Sequence, residues 1–561
     1  MSEPAGKAQT DEKPLVSFKG KASTVRLMPD FLIILYSDTG DRTADVGQGA
    51  DKMSYVLGID IGTSGAKCLL MDSTGRVVAS TLKDYPLYTP RPGWAEQNPD
   101  DWWNATLLGI RELLSKEKDS AGKIAGISFS GQMHGLVALN REGKVIRPAI
   151  LWCDQRTQKQ CDFITEKAGG AKGLLALTNN LMLTGYTGGK LLWLKEQEPD
   201  SFDSMVKFIC PKDYIRFKLT GIPMTDVSEA SGTGFFDTKE RKWCESLISM
   251  AQLPRSIFPE AVESTQQAGS VSEEAAALTG LPAGVPCYAG GGDAVIQAVG
   301  SGLVSPGTIG IVIGTAGNVS MSFNQFTPNP QGKLQMFCGN EPGLWTSFGA
   351  TQTAGGAYRW MRDMLCRDLV HEAKVTGQNV YDLMNREAEQ AGPGAHGILF
   401  APYLSGERCP YPDPNARGLF YGMSLSTTRE DMIRAVMEGI TFSLRQIAGI
   451  YEEMMPLKAG VSSGGGAASL LWLQMQADVF GLPIRTVSAA SEGGAYGAAL
   501  VGGVGCGLFK NLTEAVSVIH TETVHEPCRA NQEIYAHNYR MYQKLYPAVK
   551  PIFDLGATVG Y

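Results

Sequence analysis

At 561 residues the chain is too long for one compact core, and two domains are expected, because single cores stop growing at roughly 250–300 residues. With 43% hydrophobic and 19% charged residues it has the composition of an ordinary folded protein. A net charge of -7 argues against a nucleic-acid scaffold, and no apolar run reaches the roughly 20 residues that span a bilayer. Eleven cysteines without a CxxC pair read as reduced thiols of a cytoplasmic protein.

In chain order, Met1 to Lys52 is polar and lacks sustained periodicity, so residues 1–53 read as a poorly ordered or non-native extension, with Met53 as a natural start. The globular part opens with the apolar strand Tyr55 to Asp60, the glycine turn Ile61 to Gly65, the strand Lys67 to Asp72, a turn at Ser73 to Gly75 and the strand Arg76 to Thr81. An amphipathic helix is predicted from about Asp100 to Leu114 and a strand over Ile124 to Phe129. Near residue 309 the opening pattern returns: "GIDIGTSGAK" and "GIVIGTAGNV" align without a gap, about 250 residues apart. Strand, turn and second strand all recur, which points to two domains on one plan. Further on, Thr427 and Glu430 read as a capping box ahead of the helix carrying Ile433, Val436, Ile440, Leu444 and Ile447. Helices are predicted at Ser469 to Phe480 and after Glu492, and a surface helix from Gln532 to Lys544, stopped before Pro547. Strands interleaved with helices make this an α/β chain.

Five places carry chemistry-bearing residues. The turn of Gly62, Thr63, Ser64 and Gly65 aims N–H groups and hydroxyls at one point and can cradle phosphate. Asp60 at the strand end can hold hydrated Mg²⁺, and Lys67 can add a point charge; the alternative is a glycine hairpin with a capping aspartate. By the repeat, Gly314 and Thr315 form a second cradle, and two cradles on two domains suggest a nucleotide clamped between them. Asp293 follows Gly290, Gly291 and Gly292; it can take a proton from an attacking hydroxyl or merely cap the following helix. His134 in "GQMHG" and Trp152 in "WCDQR" suit a polyol, one by hydrogen bonding and the other by stacking, the alternative for His134 being a structural hydrogen bond. The turn from Ser463 through Gly465 and Gly466 to Ser469 lets backbone approach a flat ring such as adenine. The chain has no Rossmann fingerprint, no GxxxxGK[ST] loop and no protein-kinase motif set.

Together these motifs, with "GYTGGKLLWLKEQ", "PKDYIRFKLTG" and "YLSGERCPYPDPNARG", resemble the FGGY carbohydrate kinases over residues 55–550 or so. The resemblance implies two actin/hexokinase-like (ribonuclease H-like) domains with an interdomain catalytic cleft, residues 54–302 binding sugar and 303–561 binding nucleotide. Within the family, Gln132-Met133-His134-Gly135 is most similar to the xylulokinase branch, which implies D-xylulose as acceptor, with gluconate or L-ribulose as alternatives. It implies Asp293 as general base, Asp60 for Mg²⁺, and Gln132, Met133, His134, Trp152 and Asp154 at the sugar. Thr315, Gly465 and Gly466 would sit at the ATP. The partners implied are a small sugar and MgATP, without nucleic acid or membrane and with room for a homodimer. An actin-like ATPase switch is the distant alternative, and it would need no polyol pocket. Two departures bear on sugar selectivity: Glu229 stands where the family often has Asp, keeping the charge, and Ala294 follows Asp293 in place of Asn.

Overall fold

The computed structural model describes residues 54–488 and 492–557, together with the backbone of Leu27–Met28 and Phe31–Leu32. The chain divides into two units, Met1–Asp51 and Lys52–Tyr561. In the first, Leu27–Met28 and Phe31–Leu32 pair antiparallel; otherwise the extension expected over 1–53 lies outside the described residues.

The second unit is built on two mixed sheets that share one plan. In the first, the central strand β1 (Tyr55–Ile61) pairs antiparallel with β2 (Gly65–Asp72), which pairs antiparallel with β3 (Val77–Asp84). On its other side β1 runs parallel to β4 (Ile124–Gly131). Beyond β4 the sheet continues with antiparallel β5 (Gln267–Ser270) at the edge, β6 (Pro286–Tyr288) parallel to β4, and the short β7 (Gly291–Gly292) at the end of β4. In the second sheet β8 (Thr308–Ile313) is central. It is antiparallel to β9 (Gly317–Phe323), followed by β10 (Gln335–Cys338) at the edge and β11 (Trp345–Thr351), and parallel to β12 (Ala459–Gly464). Next to β12 lie β13 (Ile484–Val487), parallel, and β14 (Thr521–His525), antiparallel. Each sheet thus has a central strand with an antiparallel hairpin on one flank and two parallel neighbours closed by an antiparallel edge on the other. The expected repeat is present as structure.

The central strands read as continuous apolar runs because both their faces are covered. Leu57, Ile59 and Ile61 share a cluster with α1 (Pro99–Lys116) and α3 (Pro211–Thr220); α2 (Thr187–Gln197) lies between these two in the chain, and the short α4 (Val227–Ser231) follows them. On the opposite face Val56, Leu69 and Met71 belong to a second cluster, to which α5 (Asp293–Gly300) contributes Ile296 and Val299. Behind the second sheet, α6 (Gly355–Leu365), α7 (Arg429–Glu452) and α8 (Leu470–Phe480) bury Met361, Ile433, Ile440 and Trp472. The glycine- and alanine-rich α9 (Gly493–Gly505) does not join them: it packs on the first sheet and crosses α5. A Cβ on Gly58 would lie 1.9 Å from the Ala495 carbonyl oxygen, and one on Gly497 would lie 2.3 Å from that of Ile296. Only the absence of side chains allows backbone to meet backbone there.

Two boundaries differ from expectation. The capping box of α7 is one residue later than read, at Thr428 and Asp431, whose side chains each accept the other's backbone N–H. The last helix, α10 (Arg529–Ala557), runs through Pro547 and Pro551. Both prolines are solvent-exposed and four residues apart, so the lost backbone bonds fall on one wet face. The other face is anchored: Tyr546 stacks on Tyr411 with ring centroids 3.9 Å apart and donates to Asp413.

Candidate active site

Asp60 is the penultimate residue of β1, opposite Ser130 of β4 and Lys67 of β2. Its side chain is partly exposed, yet Oδ1 is shut off from solvent and has no hydrogen-bond partner among the described residues. A Cβ on Gly494, at the start of α9, would lie 2.5 Å from that oxygen and 2.5 Å from Ser130 Oγ. Burial raises the pKa of Asp60, opposed by Ser130 and by the charge of Lys67. A carboxylate with an unpartnered oxygen in such a place is suited to a cation. Among the described residues no group of three His, Cys, Asp or Glu side chains forms a cage. Mg²⁺ typically takes one or two protein carboxylates and completes its shell with water and phosphate, so one orphaned carboxylate oxygen such as that of Asp60 fits it.

The triple glycine ahead of Asp293 is required at each position. Gly290 has φ +70°, and a Cβ on it would sit 2.0 Å from the Phe129 carbonyl oxygen. One on Gly291 would lie 2.2 Å from Asn340 Nδ2, and one on Gly292 would lie 2.5 Å from Met133 Cγ. The turn can therefore run flat against β4 and the "QMHG" loop. Asp293 is not the cap of α5: Gly292 holds the cap position, and Asp293 is the first helical residue, its Oδ1 accepting the next N–H at 2.7 Å. Burial, and then the neighbouring charge of Asp60, push its carboxyl up to about 7. The group keeps an opening to solvent. It is a carboxylate placed to accept a proton near neutral pH.

Met133 packs with Val295 and Phe337 directly behind this base. His134 holds a left-handed backbone, φ +69°, which costs energy in a non-glycine residue. Its carbonyl is clamped by two donors, Lys190 Nζ at 2.7 Å and Thr187 Oγ1 at 3.1 Å. Its Nδ1 lies 2.7 Å from the Gly232 carbonyl oxygen. A carbonyl can only accept, so Nδ1 carries the proton and Nε2 presents a lone pair. Burial, and then Lys190, hold the imidazole pKa down to about 3, so the ring is neutral at physiological pH. Tyr186 lies against it, ring centroids 4.6 Å apart, with a buried hydroxyl that has no partner among the described residues.

Several expected contacts are committed elsewhere. Asp154 is fully buried, and its carboxylate is saturated by Arg156 and the Ala95 N–H, so it braces the loop and does not face a ligand. Arg156 in turn stacks on Trp94 at 3.5 Å. Trp152 remains 38% exposed, its indole N–H donating to Thr63 Oγ1 at 3.0 Å. Gln132 is buried and bonded to Gln97, to Gly62 and, at 3.5 Å, to Thr63, a supporting position. Thr63 is thereby tied through its hydroxyl to both Trp152 and Gln132. Lys67 pairs with Glu492 at 3.3 Å. Glu229 was expected to keep its charge. It is fully buried, neither oxygen has a hydrogen-bond partner among the described residues, and burial, opposed by Lys212, raises its pKa well above the usual range.

A cavity of about 440 Å³ gathers Gly314, Thr315, Gly465, Gly466 and Ser469. Gly62, Thr63 and Ser64 are not on its wall. Backbone N–H groups of Gly355 and Gly356, at the start of α6, hold the carbonyls of Gly314 and Thr315. The Ser469 hydroxyl caps α8 by accepting the Trp472 N–H. The outer wall is aromatic: Tyr358 and Tyr381 stack at 5.6 Å, and the Tyr358 hydroxyl donates to Asn385. A larger hollow of about 660 Å³, near Phe236 and Arg255, touches none of the expected residues.

The model of the FGGY family of carbohydrate kinases, N-terminal domain, matches residues 55–300, and that of the C-terminal domain matches 307–506. The chain belongs to the FGGY family of carbohydrate kinases. Among similar members, the xylulose kinase of Bacillus subtilis is 37% identical, covering 89% of this chain and 98% of that protein. That of Lactococcus lactis is 38% identical over 88% and 97%. The crystal structure of xylulose kinase from Rhodospirillum rubrum superposes with a TM-score of 0.82 at 29% identity, covering 89% of this chain and all of that one. Within this FGGY kinase the sequence reading missed Tyr186, Lys190, Gly494 and the Tyr358–Tyr381 wall. "GYTGGK" marked the first two only by resemblance. The others carry no local signal, since an adenine-sized wall needs only flat side chains.

Proposed function

We propose that this kinase transfers the γ-phosphate of ATP to the terminal hydroxyl of D-xylulose, giving D-xylulose 5-phosphate and ADP by direct in-line displacement. The observation that carries this reading is the Asp293 carboxyl, pushed up to about 7 by burial and by the charge of Asp60, at the end of a glycine turn packed against Met133. As the sugar oxygen bonds to phosphorus, Asp293 accepts its proton and the bond to ADP breaks. His134 Nε2 accepts a hydrogen bond from a second hydroxyl, Tyr186 offers its unbonded hydroxyl, and the exposed face of Trp152 covers the sugar. Asp60 is the residue to hold Mg²⁺, which when bound neutralises phosphate charge. The adenine lies against Tyr358, Tyr381 and Asn385, with phosphates towards Gly314 and Thr315. Residues 54–302 and 303–561 form the two closing domains, with α9 crossing to pack on the first. The names of the related xylulose kinases support the acceptor.

The test is a panel of D-xylulose, L-ribulose, gluconate and a tetritol with coupled detection of ADP. D-xylulose is expected to give kcat/KM at least about tenfold above the rest, a difference of about 1.4 kcal/mol in transition-state binding. A higher value for any other acceptor overturns the assignment.

A further inference from the structure

The turn that presents Asp293 hangs from one buried carboxylate. Asp226 is fully buried, 3.0 Å from Lys212 Nζ. Its Oδ2 accepts from two serine hydroxyls, Ser228 at 2.6 Å and Ser264 at 2.9 Å. Each serine then holds one end of the triple glycine: Ser228 Oγ accepts the Gly292 N–H at 3.0 Å, and the Ser264 carbonyl accepts that of Gly290 at 2.9 Å. The Ser228 hydroxyl has one proton and gives it to Asp226, so its lone pairs are aimed at Gly292. Bonds to an ionised acceptor are short and stiff. The glycine turn has no side chains of its own to fix it, and backbone freedom there would pass straight to the next residue, Asp293.

We propose that Asp226, acting through Ser228, is a positioning relay for the catalytic base, fixing the Gly292 N–H and with it the first turn of α5. This rests on the reading of Asp293 as the base. Asp226 touches neither substrate nor base; it works by preorganisation, and a sub-ångström error in a base can cost tenfold or more in rate.

The test uses Ser228→Ala in the full-length enzyme, because removing Asp226 would strand Lys212 and risk misfolding. The control is Ser231→Ala on the same helix: its hydroxyl is equally buried and also bonds backbone, to Val227 and Cys338, but not to the glycine turn. Ser228→Ala should lower kcat about tenfold with the dissociation constants of sugar and ATP within twofold of wild type, and Ser231→Ala should leave kcat within twofold. In an Asp293→Asn background the Ser228→Ala loss should shrink below about twofold, because there is no base left to place. Equal losses in the two serine variants, a wild-type kcat for Ser228→Ala, or a full tenfold loss persisting in the Asn background each overturn the relay. If Asp293→Asn loses turnover while Ser228→Ala does not, the relay alone is wrong. A wild-type kcat for Asp293→Asn overturns the base assignment, and the relay falls with it.

Discussion

Replacing Asp293 by Asn separates the cost of the base from its benefit. The folded protein holds this carboxyl at about 7 against an ordinary 3.8, by burial first and by the Asp60 charge second. Between those values the native chain keeps a proton that the unfolded chain has released. Stability therefore falls as pH rises from about 4 to 7 and is level above that. The full cost of carrying the charge above pH 7 is at most about 4 kcal/mol, from about 1.4 kcal/mol for each tenfold change in proton affinity; the cleft's opening to water brings it nearer 2. Asn has the shape without the charge, so Asp293→Asn should be more stable than wild type at pH 8, by a margin that shrinks about fourfold by pH 4.5. The same substitution should lower kcat by about 10²–10⁴, the usual worth of a general base. Wild-type kcat should itself fall towards acid pH as the base is protonated, with a midpoint below 7 once Mg²⁺ offsets the Asp60 charge. ADP release followed from pH 5 to 9, together with urea unfolding midpoints at pH 4.5 and 8, checks all three. A flat pH–kcat profile, or an Asn variant no more stable at pH 8, refutes the reasoning.

His134→Gln should raise KM for the sugar about tenfold or more, the worth of one or two hydrogen bonds, with KM for ATP unchanged. Because the buried imidazole is held near 3, the unfolded chain gains a proton that the native chain refuses as pH drops through about 6.5; wild type loses stability there, and the Gln variant should lose less, as read from unfolding midpoints at pH 5 and 7. Gly494→Ala places a Cβ 2.5 Å from Asp60 Oδ1. It should raise the Mg²⁺ concentration for half-maximal rate about tenfold while leaving the far-ultraviolet circular dichroism unchanged; an unaltered Mg²⁺ titration counts against Asp60 as the ligand.

Much of this protein was legible in its sequence because the signals are local. Tyr55–Ile61 and Thr308–Ile313 are strands because their apolar runs are bounded by glycine turns, and the repeat is visible because the same turn serves the same flat approach twice. Asp293 could be singled out because three successive glycines are more than a helix cap requires. The partners of charged groups could not be read in this way. Asp154 and Lys67 look available in the sequence; Arg156 saturates the first and Glu492, 425 residues away, pairs with the second. Pro547 disfavours a helix interior by its own chemistry, yet α10 continues, its other face held by Tyr411 and Asp413. The upward shift of Glu229 likewise comes from the water that the fold removes around it, which outweighs the opposing charge of Lys212. Backbone preference and periodicity act over a few residues and belong to the sequence. Desolvation and ion pairing act over ångströms between residues hundreds of positions apart, and only the tertiary structure brings those residues together.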